Sequence, residues 1–308
     1  MSHVVRTDGL TKDFTTGFWR PRPHRGLDGL TLEIPAGGVF GLLGPNGAGK
    51  STTLKLLLNL LRPTAGRAEI LGYPPGDLRA HSRIGFLAEN PVFYDYLTSE
   101  ELLAYFAGLC GFSRVESRAR ATRTLDLVGI GADRRRPMRQ YSKGMVQRVG
   151  LAQALIADPE LVILDEPMSG LDPIGRKDVR DLILKLRDEG RTIVFSSHIL
   201  SDAELLCSSV GILAKGKLVA SGPLSELTSG GARGWEVVAS GVPDAFVARL
   251  SHRGVKTSRI SDGRYTFELP VDSSPEPFVA ELAANGGALV SVSGLRTTLE
   301  DVFMERVR

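Results

Sequence analysis

The stretch Gly44-Pro45-Asn46-Gly47-Ala48-Gly49-Lys50-Ser51 matches G-x-x-x-x-G-K-[ST] at every fixed position, and nothing else in the chain limits its fold so tightly. It follows a short apolar run, Val39–Leu43, and leads into an apolar helical stretch, Lys50–Leu61, that stops at Arg62-Pro63. Glycines let the backbone turn sharply, so that successive N–H groups, from about Gly47 to Thr52, point into one anion-sized hollow. A helix that begins at the same point adds its positive end. In that setting Lys50 brings a full charge to the β- and γ-phosphates, and Ser51 offers a hydroxyl to Mg²⁺. A glycine-rich turn arising by chance has no reason to sit between an apolar strand and a helix. The segment is read as a nucleoside triphosphate site.

A second apolar run, Leu161–Leu164, ends in Asp165-Glu166-Pro167. In a doubly wound sheet, ligands collect at the carboxyl ends of the strands. Asp165 is expected to hold Mg²⁺ through water there, and Glu166 to polarise an attacking water as general base. A solvated acidic turn would look the same in isolation; the phosphate loop gives the pair its meaning. A third run, Thr192–Ser196, leads through Ser197 to His198. A lone histidine at a strand end is more often structural. On the same edge as Glu166, His198 is expected to contact the terminal phosphate and steady the attacking water.

The amphipathic stretch Pro173–Glu189, closed by Gly190, joins two of these strands, and such alternation builds a parallel sheet. Thr98-Ser99-Glu100-Glu101 reads as a capping box, with Leu102, Leu103, Phe106 and Cys110 on one face of the helix that follows. With the Arg-rich stretch from about Ser113 to Val128, it predicts a helical insertion over about 92–156. Val210–Ala220 reads as a hairpin turning at Lys215-Gly216. Composition changes at Thr228-Ser-Gly-Gly-Ala-Arg-Gly234. The expected division is therefore 1–222, a linker over 223–234, and a small domain over 235–308 whose β-α-β-β-α-β order is the ferredoxin-like pattern. The fold class expected is an α/β core with a helical subdomain, followed by a small α+β domain.

The chain has 308 residues, 42% hydrophobic and 24% charged, enough to bury a core without disulfides or a structural metal. Its net charge of +3 is too small to demand nucleic acid. The two cysteines, Cys110 and Cys207, sit in apolar stretches and read as buried, reduced thiols. Met1–Leu10 has no apolar signal region, and no run reaches the roughly 18 apolar residues that span a bilayer. A cytoplasmic chain is expected, with any membrane role supplied by a partner.

Taken together with Tyr141-Ser142-Lys143-Gly144-Met145, followed by Gln147-Arg148, these motifs resemble the ATP-binding cassette family over about residues 4–222. Five motifs stand in family order. The resemblance implies ATP and Mg²⁺ as cofactors, and Phe14 as the aromatic that stacks on the base. It also implies a second cassette, whose phosphate loop would face Ser142 and Gly144 of this one; that cassette is either a second copy or a paired subunit. Ser142, at a helix N-terminus, would offer its hydroxyl to the other subunit's γ-phosphate. Ser169-Gly170-Leu171-Asp172 resembles the loop that links the two sites across such a pair.

Two departures stand out. The family's signature usually reads Leu-Ser-Gly-Gly-Gln, whereas here Tyr141, Lys143 and Met145 surround Ser142 and Gly144. The loop that usually carries a Gln reads Phe86-Leu-Ala-Glu89-Asn90, which places a carboxylate near the expected metal. The terminal Leu299-Glu-Asp-Val-Phe303 and the segment Glu89–Leu97 resemble the ABC-2 class of exporters. That implies integral membrane permease subunits docking near Glu89–Leu97, at the cytoplasmic face of the membrane. The basic, aromatic insert Thr16–Arg25, with Trp19, reads equally as a membrane contact or a solvated loop. Two other classes fit less well. A soluble ATPase acting on nucleic acid or ribosomes would need long coiled coils, two cassettes in one chain, or a basic stripe with interleaved aromatics. A non-catalytic nucleotide-binding module would have no need of Glu166.

Overall fold

The computed structural model describes residues 3–16, 22–229 and 232–307. The chain divides into two compact units, Met1–Leu224 and Ser225–Arg306.

Among the described residues the first unit contains the strands β1 (His3–Thr16), β2 (Arg22–Pro35), β3 (Gly38–Leu43), β4 (Ala65–Ile70), β5 (Ile84–Leu87), β6 (Leu161–Leu164), β7 (Thr192–Ser197), β8 (Ser209–Ala214) and β9 (Lys217–Pro223). Six of them form one sheet in the order β5-β6-β7-β3-β8-β9. β5 through β8 pair in parallel, and β9 closes the edge antiparallel to β8. β6 and β7 are buried at every residue, the pattern of strands covered on both faces. In register, Leu43 lies beside Ser197 and Leu164 beside Phe195. The ends of β3, β6 and β7 therefore deliver Gly44, Asp165 and His198 to one edge of the sheet.

The second sheet, in the order β2-β1-β4, is antiparallel and was not foreseen from the sequence. Its buried residues Val5, Leu10, Leu30, Ile34 and Ile70 join one core with Leu54 and Leu57 of the helix behind the phosphate loop. The stretch read as an insert belongs in part to this hairpin, because β1 runs to Thr16 and β2 opens at Arg22. Residues 17–21, Trp19 among them, lie outside the described residues.

The helix behind the loop is Lys50–Leu57, shorter than expected, because Asn59 turns left-handed at φ 57° and ends it. Between β5 and β6 stand the helices Ser99–Leu109, Arg114–Leu127 and Lys143–Leu155. The first carries the expected capping box: Thr98 Oγ1 accepts from Glu101 N–H, and Glu101 accepts from Thr98 N–H. Cys110 corrects the sequence reading. Its position just past that helix leaves it exposed, while Cys207 is buried and burial pushes its thiol up.

The second unit runs β10 (Ala232–Ser240), helix Asp244–His252, β11 (Lys256–Ser261), β12 (Arg264–Pro270), helix Pro275–Ala284, β13 (Ala288–Arg296) and helix Leu299–Val307. The sheet order β11-β12-β10-β13, antiparallel throughout, is the ferredoxin-like topology. Val237, Phe246, Leu250, Phe267 and Leu282 form its core. In the stretch expected as a linker, helix Leu224–Leu227 follows β9 directly, and residues 230–231 lie outside the described residues.

Candidate functional site

The phosphate loop leaves β3 through Gly44 at φ 146°, where an added Cβ would stand 2.2 Å from Leu213 O. Only glycine fits that approach. Ala48 N–H is turned onto Pro45 O at 3.1 Å, so it leaves the expected run of free donors. The N–H groups of Lys50, Ser51 and Thr52 open the helix, where no intrahelical acceptor exists and no side chain caps them. They keep the anion-binding character the motif requires.

Lys50 is 5% exposed, and its Nζ donates to Gly44 O at 2.7 Å and Pro45 O at 3.3 Å. The same ammonium lies 3.2 Å from Glu166 Oε1. That contact is an ion pair without hydrogen-bond alignment, so the buried Oε1 has no hydrogen-bond partner. Glu166 Oε2 meets His198 Nδ1 at 2.8 Å. With Glu166 ionised the imidazole must donate there, which leaves its other nitrogen for a ligand. Glu166 is also held at φ 48°, a left-handed conformation rare outside glycine, asparagine and aspartate. Asp165, 3% exposed, accepts at Oδ1 from Ser51 Oγ at 3.0 Å and from Ser196 Oγ at 2.7 Å.

A cleft of about 330 Å³ opens in front of this cluster. It is lined by Asn46 through Thr52, Glu89, Glu166, Phe14, His24 and Gly26. Phe14 and His24 are cross-strand partners in β1 and β2. Gly26 makes room for the aromatic ring, since a Cβ there would come within 2.5 Å of Phe14 Cε2. Asp165 and His198 do not line the cleft; they are tied to it through Ser51 and Glu166. Sequence reasoning missed His24 and Ser196. The signal for Ser196 was a hydroxyl directly after the apolar run Ile193–Phe195, two residues before His198.

Ser142, Gly144 and Asp172 are not brought to this cleft. They line a second cavity of about 410 Å³, with Lys143, Met145 and Gly170. Ser142 is the N-cap of helix Lys143–Leu155, its Oγ accepting from Met145 N–H at 3.3 Å. Tyr141 fixes the approach by donating to Asp133 O at 2.8 Å and bonding Ser99 Oγ at 3.0 Å. Gln147 anchors the same helix to the acidic loop through Pro167 O at 3.2 Å. Asp172 caps helix Pro173–Asp188, accepting from Gly175 N–H at 2.7 Å.

The ABC transporter family profile matches residues 27–169. An uncharacterized ABC transporter ATP-binding protein of Synechocystis is 42% identical across 100% of this chain and 85% of its own length. The bacitracin transport ATP-binding protein BcrA of Enterococcus faecalis is 39% identical over 74% of this chain and 71% of its own. The daunorubicin/doxorubicin resistance ATP-binding protein DrrA of Streptomyces peucetius is 36% identical over 74% and 68%. Among solved structures, the ATP-binding cassette MJ0796, a post-hydrolysis dimer bound to ADP and Pi, overlays with a TM-score of 0.65. It is 25% identical and covers 71% of this chain and 98% of that one. With the phosphate loop, acidic strand end and capped signature helix in one molecule, this chain belongs to the ABC transporter ATP-binding proteins.

Proposed function

We propose that two copies of this chain close around two ATP molecules, hydrolyse them, and drive export through separate membrane subunits. One observation carries the reading: a single chain holds the two halves of a nucleotide site in separate cavities. Ser142 and Lys50 of the same chain line different cavities, which suits a second cassette supplying the missing half.

The chain's own groups define the steps. Lys50 and the free N–H groups at the helix start bind the phosphates. Glu166, with Oε1 lacking a hydrogen-bond donor, accepts a proton from the attacking water. His198 holds the carboxylate from the other side and steadies the terminal phosphate through its second nitrogen. Phe14 stacks on the base, and replacing it with Ala is expected to weaken ATP binding by about 1–3 kcal/mol, read by fluorescence titration. Mg²⁺ fits the donor set, because Ser51, Asp165 and Glu89 offer only the oxygen ligands that a hard cation prefers. Among the described residues no group of three His, Cys, Asp or Glu side chains could hold a metal by itself, and these residues would hold Mg²⁺ together with the phosphates of a bound nucleotide. When bound, Mg²⁺ neutralises charge developing on the phosphates. Glu89 adds a negative charge at this position, and Glu89→Gln is expected to shift the Mg²⁺ concentration for half-maximal turnover several-fold. An unchanged Mg²⁺ titration would remove Glu89 from the metal's surroundings.

Export follows from the transport and resistance relatives and from the segment after Glu89. Val92 is 91% exposed there, and Tyr94 and Tyr96 stand out beside it. Such an apolar cluster suits a docking surface for a membrane permease. Among the described residues no helix is long and apolar enough to cross a membrane. Docked on such a permease, the chain would lie at the cytoplasmic face of the membrane. Co-purification of the tagged chain from solubilised membranes of its host tests this. An integral membrane protein in equal amount supports transport; recovery with ribosomes or nucleic acid contradicts it.

A further inference from the structure

The strongest observation outside the motifs is Ser196, a hydroxyl with no exposure at all, next to last in buried β7. A hydroxyl has one proton to donate. Here the bookkeeping is complete, because Ser196 Oγ accepts from Glu166 N–H at 2.8 Å. Its own proton therefore goes to Asp165 Oδ1 at 2.7 Å, and an oxygen that receives two donors must be an acceptor. One side chain on β7 thus fixes the carboxylate of Asp165 and the backbone of Glu166, the two residues that follow β6.

The backbone bond matters because Glu166 sits at φ 48°, a left-handed conformation that a Cβ disfavours. Such a conformation persists only where its surroundings hold it. Besides the Ser196 bond, Glu166 O accepts from Ser169 N–H at 3.0 Å, and the side chain is held by Lys50 and His198. Its N–H is held by Ser196 Oγ. A relaxed backbone at this point would swing the carboxylate away from the water it is to activate.

We propose that Ser196 is a positioning residue for hydrolysis, setting the angle at which Glu166 presents its carboxylate while locking Asp165 onto Ser51. The inference rests on the hydrolytic reading of the site above. It acts through Asp165 and Glu166 and touches no substrate. Because neither Lys50 nor the loop N–H groups depend on it, ATP binding and turnover should separate.

The test uses the full chain with Ser196→Ala and Ser196→Thr, alongside wild type and Glu166→Gln, measuring steady-state turnover and direct ATP affinity. Ser196→Ala is expected to lower kcat about 10- to 100-fold, the range for groups that orient a catalytic ligand, with ATP affinity changed less than about threefold. Ser196→Thr keeps the hydroxyl and is expected to recover most of the rate. Ser196→Ala with wild-type kcat overturns the inference. So does a parallel loss of turnover and ATP binding, or a Ser196→Thr chain that binds ATP normally yet is as slow as the alanine variant. A wild-type chain without turnover, or one indifferent to Glu166→Gln, overturns the hydrolytic reading itself and this inference with it.

Discussion

Glu166→Gln is expected to lower ATP turnover by about 10²- to 10⁴-fold, the usual contribution of a general base, while ATP binding survives. Glutamine preserves the shape of a residue that is 7% exposed and held at φ 48°, so the loop has little reason to move. What changes is chemistry. The carboxylate faces the Lys50 ammonium, an ion pair at 3.2 Å from Oε1, and His198 Nδ1, 2.8 Å from Oε2. An amide offers one acceptor oxygen in their place and cannot take a proton from water. Phosphate binding rests on Lys50 and the free N–H groups at the helix start, none of which is removed. Single-turnover hydrolysis beside equilibrium ATP binding separates the two effects. Wild-type turnover in the glutamine variant would take the base role from Glu166.

Lys50→Ala is expected to fail at an earlier step, in ATP binding and in the fold together. Charge-assisted bonds contribute about 1.5–3 kcal/mol, so losing the ammonium should weaken ATP binding about 10- to 100-fold. The same change strands Glu166, a carboxylate buried beside it. Removing one partner of a buried pair costs about 3–5 kcal/mol, here towards the lower end because His198 stays on Oε2. The melting temperature should fall by about 6–12 °C. Adding Glu166→Gln to Lys50→Ala should restore part of that stability and none of the binding, since the two residues share one interaction. Equal melting temperatures for the single and double variants would show that the pair contributes nothing to the fold.

The elements that a sequence announces are those with a short period and a closed chemistry. Val39–Ser51, Leu161–Glu166 and Thr192–His198 could be placed because apolar strands run straight into residues whose types have one common use. The β-α-β-β-α-β order of the second unit was legible for the same reason. The β1–β2 hairpin was not. Its register shifts at four points, between His3/Val5, Thr7/Leu10, Leu10/Lys12 and Lys12/Asp13, break the alternation that marks a strand. Cys110 was misread because an apolar neighbourhood in sequence says nothing about a residue just past the end of a helix. Within the site, the motifs marked Asp165, Glu166 and His198 but not the links between them. The Glu166–His198 contact, the Gly26 clearance for Phe14 and the two hydrogen bonds of Ser196 depend on strands that are distant in the chain.

The central claim is that two copies complete each other's nucleotide site, and the sedimenting mass of the Glu166→Gln chain with Mg²⁺ and ATP tests it most directly. The expected result is a shift from the 33.2 kDa of one chain to twice that mass on adding ATP, abolished when Ser142→Arg is added. A chain that binds ATP yet stays at 33.2 kDa, or pairs as readily with arginine at Ser142, would contradict it.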